Sequence, residues 1–303
     1  MENLKFTMDK LGNLITIRDP MIVVVGDTYY ITGTQPPYWR GPNDGVRLWS
    51  SKDMKTFTYH GIILARTDIP EEMWCRDRFW APEIFDGEDG WFYLTATAKN
   101  DSEKYPYPKF GVLLAKSKEI TGPYEIVTKD APLCTGIDGT IFKEDGKFYI
   151  GHTGNKKLFL DEFDPETGKV IESHLVCEAG EEGEWDSIGV EGQCIVKRHG
   201  MYFQFYSSWT DDDYRVGILT AKNITGPWTK SPQNPVLAGG EGKGWVKGGH
   251  NHSFRGLDGK DYISFHGFTP NSLAELDENY HLERMYIREI IYNPDGTVNI
   301  IND

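Results

Sequence analysis

Gly146-Lys147-Phe148-Tyr149-Ile150-Gly151 decides the fold, because the chain writes this phrase five times. A glycine is followed within three residues by an aromatic, and then by an alternating strand. The other copies are Gly26-Asp27-Thr28-Tyr29-Tyr30-Ile31, Gly90-Trp91-Phe92-Tyr93-Leu94-Thr95, Gly200-Met201-Tyr202-Phe203-Gln204-Phe205 and Gly259-Lys260-Asp261-Tyr262-Ile263-Ser264. Successive glycines stand 64, 56, 54 and 59 residues apart. Each phrase reads as a hairpin: a strand enters, glycine supplies the turn and a second strand leaves. Further strands follow, such as Val112-Leu113-Leu114-Ala115 and Val216-Gly217-Ile218-Leu219. Two copies continue through the same turn chemistry, Ile120-Thr121-Gly122-Pro123-Tyr124 and Ile224-Thr225-Gly226-Pro227-Trp228. No long stretch carries a 3.6-residue apolar period, so few helices are expected.

A repeat of this length with about four strands per unit predicts an all-β fold, a five-bladed β-propeller of four-stranded antiparallel blades around a central funnel. Five units fill the sequence, so residues 1–303 read as a single domain. Leu14-Ile15-Thr16-Ile17 and Thr297-Val298-Asn299-Ile300 are expected to complete a shared blade and close the ring.

The bulk numbers restrict function. The 303 residues carry 46 acidic against 32 basic side chains, a formal net charge of −14. Nucleic-acid binding needs a basic surface, and anionic lipid does too, so both are excluded as partners. A neutral ligand fits. Aromatic residues make up 13% of the chain. Most of them suit a β core, and a few are expected to stack on sugar rings. Cys75, Cys134, Cys177 and Cys194 show neither a paired spacing nor a ligand spacing with histidine, and read as buried thiols. Met1-Glu2-Asn3-Leu4-Lys5 opens without an apolar signal core, and no run approaches the roughly 18 apolar residues of a membrane span. The expectation is a cytoplasmic protein, or a secreted or periplasmic one if a leader has been removed. No oligomeric state is read from the sequence.

In a propeller the first strand of each blade lines the axis, and residues at its start converge on one mouth. Seven to nine places before each turn glycine stand Asp19, Glu83, Asp138, Glu191 and His250. A lone Asp138-Gly139 would read as a turn. Five polar residues at matching phase in apolar strands read as a site, because grouping buried carboxylates is costly unless they are paired or bonded. Clustered acids suit glycosidic cleavage: one carboxyl donates a proton to the leaving oxygen, and another, ionised, activates water or attacks carbon. Neighbouring negative charge and burial raise the donor's pKa.

At these residues the sequence resembles glycoside hydrolase family 43. The matching motifs, in order, are Arg18-Asp19-Pro20, Phe79-Trp80-Ala81-Pro82-Glu83-Ile84, Ile137-Asp138-Gly139-Thr140-Ile141-Phe142, Val190-Glu191-Gly192 and Gly249-His250-Asn251 with Phe254 beyond. The resemblance implies roles. Asp19 matches a general base, Glu191 a general acid, and Asp138 a third acid that tunes and orients the donor. His250 matches an axial histidine that in related enzymes holds a water-coordinated metal, commonly calcium. The chemistry itself requires no cofactor. Arg284, in Arg284-Met285-Tyr286-Ile287, resembles a sugar-binding arginine. Members invert at the anomeric carbon, which requires Asp19 and Glu191 to lie roughly 6.5–9.5 Å apart.

Among the candidates for substrate binding are Trp80 and Glu83 in the second motif and Trp39 in the rim loop Thr34–Pro42. Trp39, Trp74, Trp209 and Trp245 all sit in loop-like stretches, and two of the four are expected to touch sugar. His252 and His266 read as hydrogen-bonded structural residues. The sequence shows no β-sandwich after the propeller of the kind many β-xylosidases of the family carry. It has an additional histidine at Gly248-Gly249-His250-Asn251-His252-Ser253. The expected activity is that of an inverting, exo-acting α-L-arabinofuranosidase on pentose-containing plant glycans, with β-xylosidase or arabinanase next. A non-catalytic sugar-binding propeller is the alternative of another class. A protein-interaction propeller of the kelch or Trp-Asp repeat kind predicts no axial acids. A sister propeller family acting on fructosides differs in the motifs around the acids.

Overall fold

The computed structural model describes residues 16–102, 110–210, 213–240, 243–268 and 283–301. Its strands form five antiparallel sheets, each built from consecutive segments. The first holds β1 (Arg18–Val25), β2 (Thr28–Thr34), β3 (Gly45–Ser51) and β4 (Thr58–Ala65). The second holds β5 (Arg78–Asp86), β6 (Phe92–Lys99), β7 (Gly111–Ser117) and β8 (Glu125–Ile126). The third is β9 (Ile137–Glu144), β10 (Lys147–Gly154), β11 (Lys157–Asp164) and β12 (Lys169–Glu178). In the fourth, β13 (Glu191–Arg198), β14 (Met201–Trp209) and β15 (Tyr214–Ala221) end on the short β16 (Thr229–Lys230) and β17 (Leu237–Ala238). The fifth is β18 (Val246–Arg255), β19 (Asp261–Phe268), β20 (Arg284–Tyr292) and β21 (Val298–Ile300). One 3-10 turn, Arg66–Asp68, is the only helical element among the described residues.

The hairpin phrases do what their glycines imply. Asp145 and Gly146 both have positive φ, as do His199 and Gly200, the pairing that a tight two-residue turn between twisted strands demands. The alternating strands bury aliphatic and aromatic side chains between neighbouring sheets rather than in one central core. Five apolar clusters result, one at each blade-to-blade interface. Leu48 and Leu94 belong to the first, Leu114 and Ile150 to the next, Leu160 and Ile195 to the third, Phe205 and Phe265 to the fourth. The fifth joins Ile22, Ile31 and Trp49 of the first blade to Phe254 of the last, and this contact closes the ring.

That closure differs from the sequence expectation. β21 pairs with β20 inside its own blade, and β1 begins the first blade, so no blade is shared among the described residues. Leu14 and Ile15 lie outside the described residues. The ends meet instead through one backbone bond, from Ile17 N–H to Glu283 O at 3.2 Å.

Candidate active site

Each inner strand is interrupted at its axial start by a bulge. Pairing skips between Arg18 and Met21, Trp80 and Glu83, Glu191 and Cys194, and Gly249 and His252, while opposite β9 the skip falls between Gly151 and Thr153. At the bulge a residue takes the left-handed conformation: Asp19 (φ 51°), Ala81 (43°), Asp138 (61°), Gly192 (62°) and His250 (47°). Aspartate and histidine enter this region more readily than most residues, and a β-bulge re-aims the side chain beside it.

A repeated hydrogen bond holds these bulges. The second-strand residue opposite each bulge reaches forward to the amide of the next blade's left-handed residue. Thr34 Oγ1 accepts from Ala81 N–H (2.6 Å), Thr97 Oγ1 from Asp138 N–H (2.8 Å) and Ser207 Oγ from His250 N–H (2.8 Å). His266 Nδ1, 3.1 Å from the Asp19 nitrogen, does the same across the closure of the ring. Burial lowers the pKa of the His266 ring, which favours the neutral form that accepts at this nitrogen. At the remaining junction Thr153, the equivalent residue, has a buried hydroxyl without a partner, and Asp138 Oδ2 takes the Gly192 N–H at 3.0 Å instead.

The site therefore has two layers, and the count back from each glycine did not separate them. Asp19, Asp138 and His250 occupy the bulge itself, with Glu191 one residue before Gly192. Glu83 lies two residues beyond Ala81, level with Met21, Thr140, Cys194 and His252 by register. It is hydrogen-bonded to Thr140 beneath the first layer and does not line the upper pocket. Burial pushes its carboxyl up to about 8.

The upper layer encloses a pocket of about 130 Å³ lined by Arg18, Asp19, Thr34, Tyr38, Trp39, Trp80, Ile137, Asp138, Glu191 and His250. Asp19 Oδ2 accepts from Thr34 Oγ1 at 2.5 Å, and Oδ1 lies 3.3 Å from His250 Nδ1. Burial alone would raise the Asp19 pKa, but His250, then His266, whose Nδ1 lies 3.3 Å from Oδ1, and then the Arg18 guanidinium outweigh it and hold the carboxyl well below the usual range. Asp138 moves the other way. Burial, together with the negative charges of Glu191 and Asp19, raises its pKa against the pull of His250. His250 is itself raised: burial opposes its charge, and the surrounding carboxylates, Asp19 first, outweigh burial. Two carboxyls in one pocket are thus driven apart, the pattern that divides acid–base roles. Glu191 is held separately, its Oε1 accepting from Trp209 Nε1 and Tyr214 OH, each at 2.9 Å.

Aromatic residues wall the pocket. Trp80 donates to Tyr38 O at 2.7 Å and stacks on Phe110 at 4.2 Å, with Trp39 edge-on to it at 5.5 Å. Arg18 lies over Trp39 at 4.8 Å and pairs with buried Glu283 at 3.2 Å. Of the four loop tryptophans, Trp39 and Trp209 line cavities, whereas Trp74 and Trp245 are buried in apolar clusters. Arg284 opens β20, the third strand of its blade, opposite Gly267. It is not a lining residue of the pocket; the arginine there is Arg18, at the start of the inner strand β1. Beyond Glu191 and Ile137, which it shares with the pocket, a larger cleft of about 630 Å³ opens past Phe110, Asn155, Lys156, Ile188 and Trp209.

The sequence profile of glycosyl hydrolases family 43 matches residues 15–298. The chain belongs to glycosyl hydrolase family 43. This family 43 chain is 31% identical to a β-D-galactofuranosidase of Aspergillus niger, over 80% of its own length and 71% of that protein. It is 26% identical to an extracellular exo-α-(1→5)-L-arabinofuranosidase of Cellvibrio japonicus, over 93% and 85% of the two. A solved endo-1,4-β-xylanase of Bacteroides thetaiotaomicron superposes with a TM-score of 0.78 at 26% identity, covering 95% of each chain. The protein is a glycoside hydrolase with a carbohydrate substrate, and family 43 chemistry requires no cofactor.

A directly ligated metal at His250 does not fit the residues. Among the described residues no three His, Cys, Asp or Glu side chains converge to hold an ion. The His250 Nδ1 is turned toward Asp19 and Asp138, 3.3 and 3.9 Å away. Thr34, Arg18, Tyr38, Phe110 and Tyr214 are site residues that pattern reading missed. Arg18 and Thr34 were within reach of it: one precedes Asp19, and the other falls opposite Asp19 when the hairpin register is counted from Gly26, the bulge then shifting it onto Arg18.

Proposed function

We propose that the enzyme is an inverting, exo-acting α-L-arabinofuranosidase working on pentose-containing glycans. One observation carries the reading: Asp19 and Glu191, from opposite sides of the ring, line the same small pocket, and Glu191 alone among the carboxylates also lines the larger cleft. The terminal sugar occupies the pocket, and the rest of the glycan leaves through the cleft. Asp19, held ionised, takes a proton from water as the oxygen attacks the anomeric carbon. The bond to the leaving oxygen breaks, and Glu191 gives that oxygen its proton. Asp138, with His250 between it and Asp19, is the carboxyl whose proton is held more tightly beside Glu191 and Asp19, and it positions the acid through the Gly192 amide.

The substrate assignment rests on size and on the relatives. β-D-Galactofuranose and α-L-arabinofuranose share their ring configuration and differ in the length of the exocyclic arm, so two furanosidase relatives favour a furanoside. A pocket closed by Tyr38, Trp39 and Trp80 favours the shorter arm. Aryl α-L-arabinofuranoside, β-D-galactofuranoside and β-D-xyloside, assayed side by side, test this. The arabinoside is expected to give the highest kcat/KM; a preference for either other sugar rejects the substrate, and activity surviving in both Asp19→Ala and Glu191→Ala rejects the mechanism. Proton NMR of the first anomer released reads the stereochemistry.

A further inference from the structure

Both hydrogen bonds to Glu191 converge on Oε1. Trp209 Nε1 can only donate, and Tyr214 OH donates at the same distance. Tyr214 is fully buried, and burial with the charge of Glu191 raises its pKa well above that of an ordinary phenol, so it remains a donor. An oxygen that already accepts two donors is the poorer seat for a proton. Oε2 is left for it.

The two donors are also one object. Trp209 ends β14, Tyr214 begins β15, and the pair is in register. Their rings stack at 3.9 Å with 16° between planes. The far side of Tyr214 faces the His266 ring at 5.5 Å and 28°. His266 in turn receives the Asp19 amide. The backbone of the fifth blade is fitted to this stack: a Cβ on Gly249 would stand 2.3 Å from Tyr214 Cδ1. A continuous column of rings, Trp209–Tyr214–His266, thus runs from Glu191 to Asp19.

We infer that Tyr214 and Trp209 are positioning residues that fix Oε2 of Glu191 as the proton-carrying oxygen, and that through His266 the same column sets its separation from Asp19. The inference rests on Glu191 being the general acid. It predicts a dependence on the leaving group that a packing role would not produce.

The test compares two substrates with the same sugar, a dinitrophenyl glycoside that departs without protonation and an oligosaccharide that needs it. Tyr214→Phe keeps the ring and removes the hydroxyl. Its kcat/KM on the oligosaccharide is expected to fall by about tenfold or more, the scale of one lost hydrogen bond, and on the dinitrophenyl glycoside by less than about threefold. Trp209→Phe, which keeps a stacked ring, is expected to show the same split. Equal losses on both substrates in Tyr214→Phe, or no loss on the oligosaccharide, overturn the inference. Glu191→Gln is the control: a split there, without one in Tyr214→Phe, overturns the column alone, whereas no split there overturns the role of Glu191 as well.

Discussion

Asp138 Oδ2 accepts the amide hydrogen of Gly192 at 3.0 Å, so a carboxyl of the third blade closes the backbone of the fourth. The other four junctions use a hydroxyl or an imidazole at this position. Here a residue of the site does structural work as well, and the two roles can be separated. Asp138→Asn keeps an oxygen acceptor and removes the charge. Asp138→Ala leaves a buried N–H unsatisfied, which costs about 1–3 kcal/mol. Both variants are expected to lose activity, but only the alanine should lose stability on that scale in urea unfolding. Equal stabilities would show that the bond contributes nothing to the fold.

Gly192 itself is expected to resist substitution for two reasons. Its φ of 62° is a region that L side chains adopt at a cost, and a Cβ would stand 3.1 Å from His250 Cγ and Nδ1. Gly192→Ala should cost about 1–3 kcal/mol and push the His250 ring toward Asp19. A lower melting temperature together with a fall in kcat is the expected result. A variant with unchanged kcat would mean that His250 is not held from this side.

Thr34 joins the base to the next blade, since its hydroxyl donates a hydrogen bond to Asp19 Oδ2 and accepts one from Ala81 N–H. Thr34→Val keeps the shape and removes both bonds. Expected are a loss of about tenfold in kcat, equal on substrates with good and poor leaving groups because the base acts on water in either case, and recovery in Thr34→Ser. A loss confined to poor leaving groups would assign Thr34 to the acid instead.

Much of this architecture was readable because the signals are local. Gly146 and Gly200 end their strands where the turn needs positive φ, and the alternation of β10 or β14 needs only its own residues. The bulges were not readable. Asp19, Asp138 and His250 take left-handed backbone because hydrogen bonds from the preceding blade hold them there, and no local pattern at Arg18-Asp19-Pro20 announces that. Counting through an unseen bulge set Glu83 level with Asp19, although the fold sends it one layer down. Tyr214 was missed for a related reason: it stands 23 residues from Glu191, and only the pairing of Trp209 with Tyr214 across β14 and β15 brings it back. Trp74 and Trp245 looked like loop residues by sequence, yet the connections that carry them tuck inward and seal blade interfaces.

Chelation separates the metal expectation from the chemistry. With no direct ligand set at His250, activity after exhaustive EDTA treatment and buffer exchange is expected to stay within about twofold of the untreated enzyme, well short of the loss of a catalytic group. A loss restored by calcium would show that an ion held through water is required.

Glu83 gives the clearest pH signature. Its carboxyl is pushed up to about 8, by burial first and by the charge of Asp138, against the opposing pull of Thr140 and His250. Cys194, on the facing strand, adds no charge at neutral pH because burial pushes its thiol up to about 12. In the unfolded chain a glutamate releases its proton near about 4.3. Between these values the folded state binds a proton that the unfolded state has lost, so stability falls as pH rises through that window, by at most about 1.4 kcal/mol per unit for one proton. Glu83→Gln removes the titration and keeps the shape. Its urea midpoint is expected to match that of the wild type near pH 5 and to exceed it increasingly toward pH 8. Midpoints that stay parallel across the range would mean that Glu83 is ionised in the folded protein, with His250 near enough to keep it so.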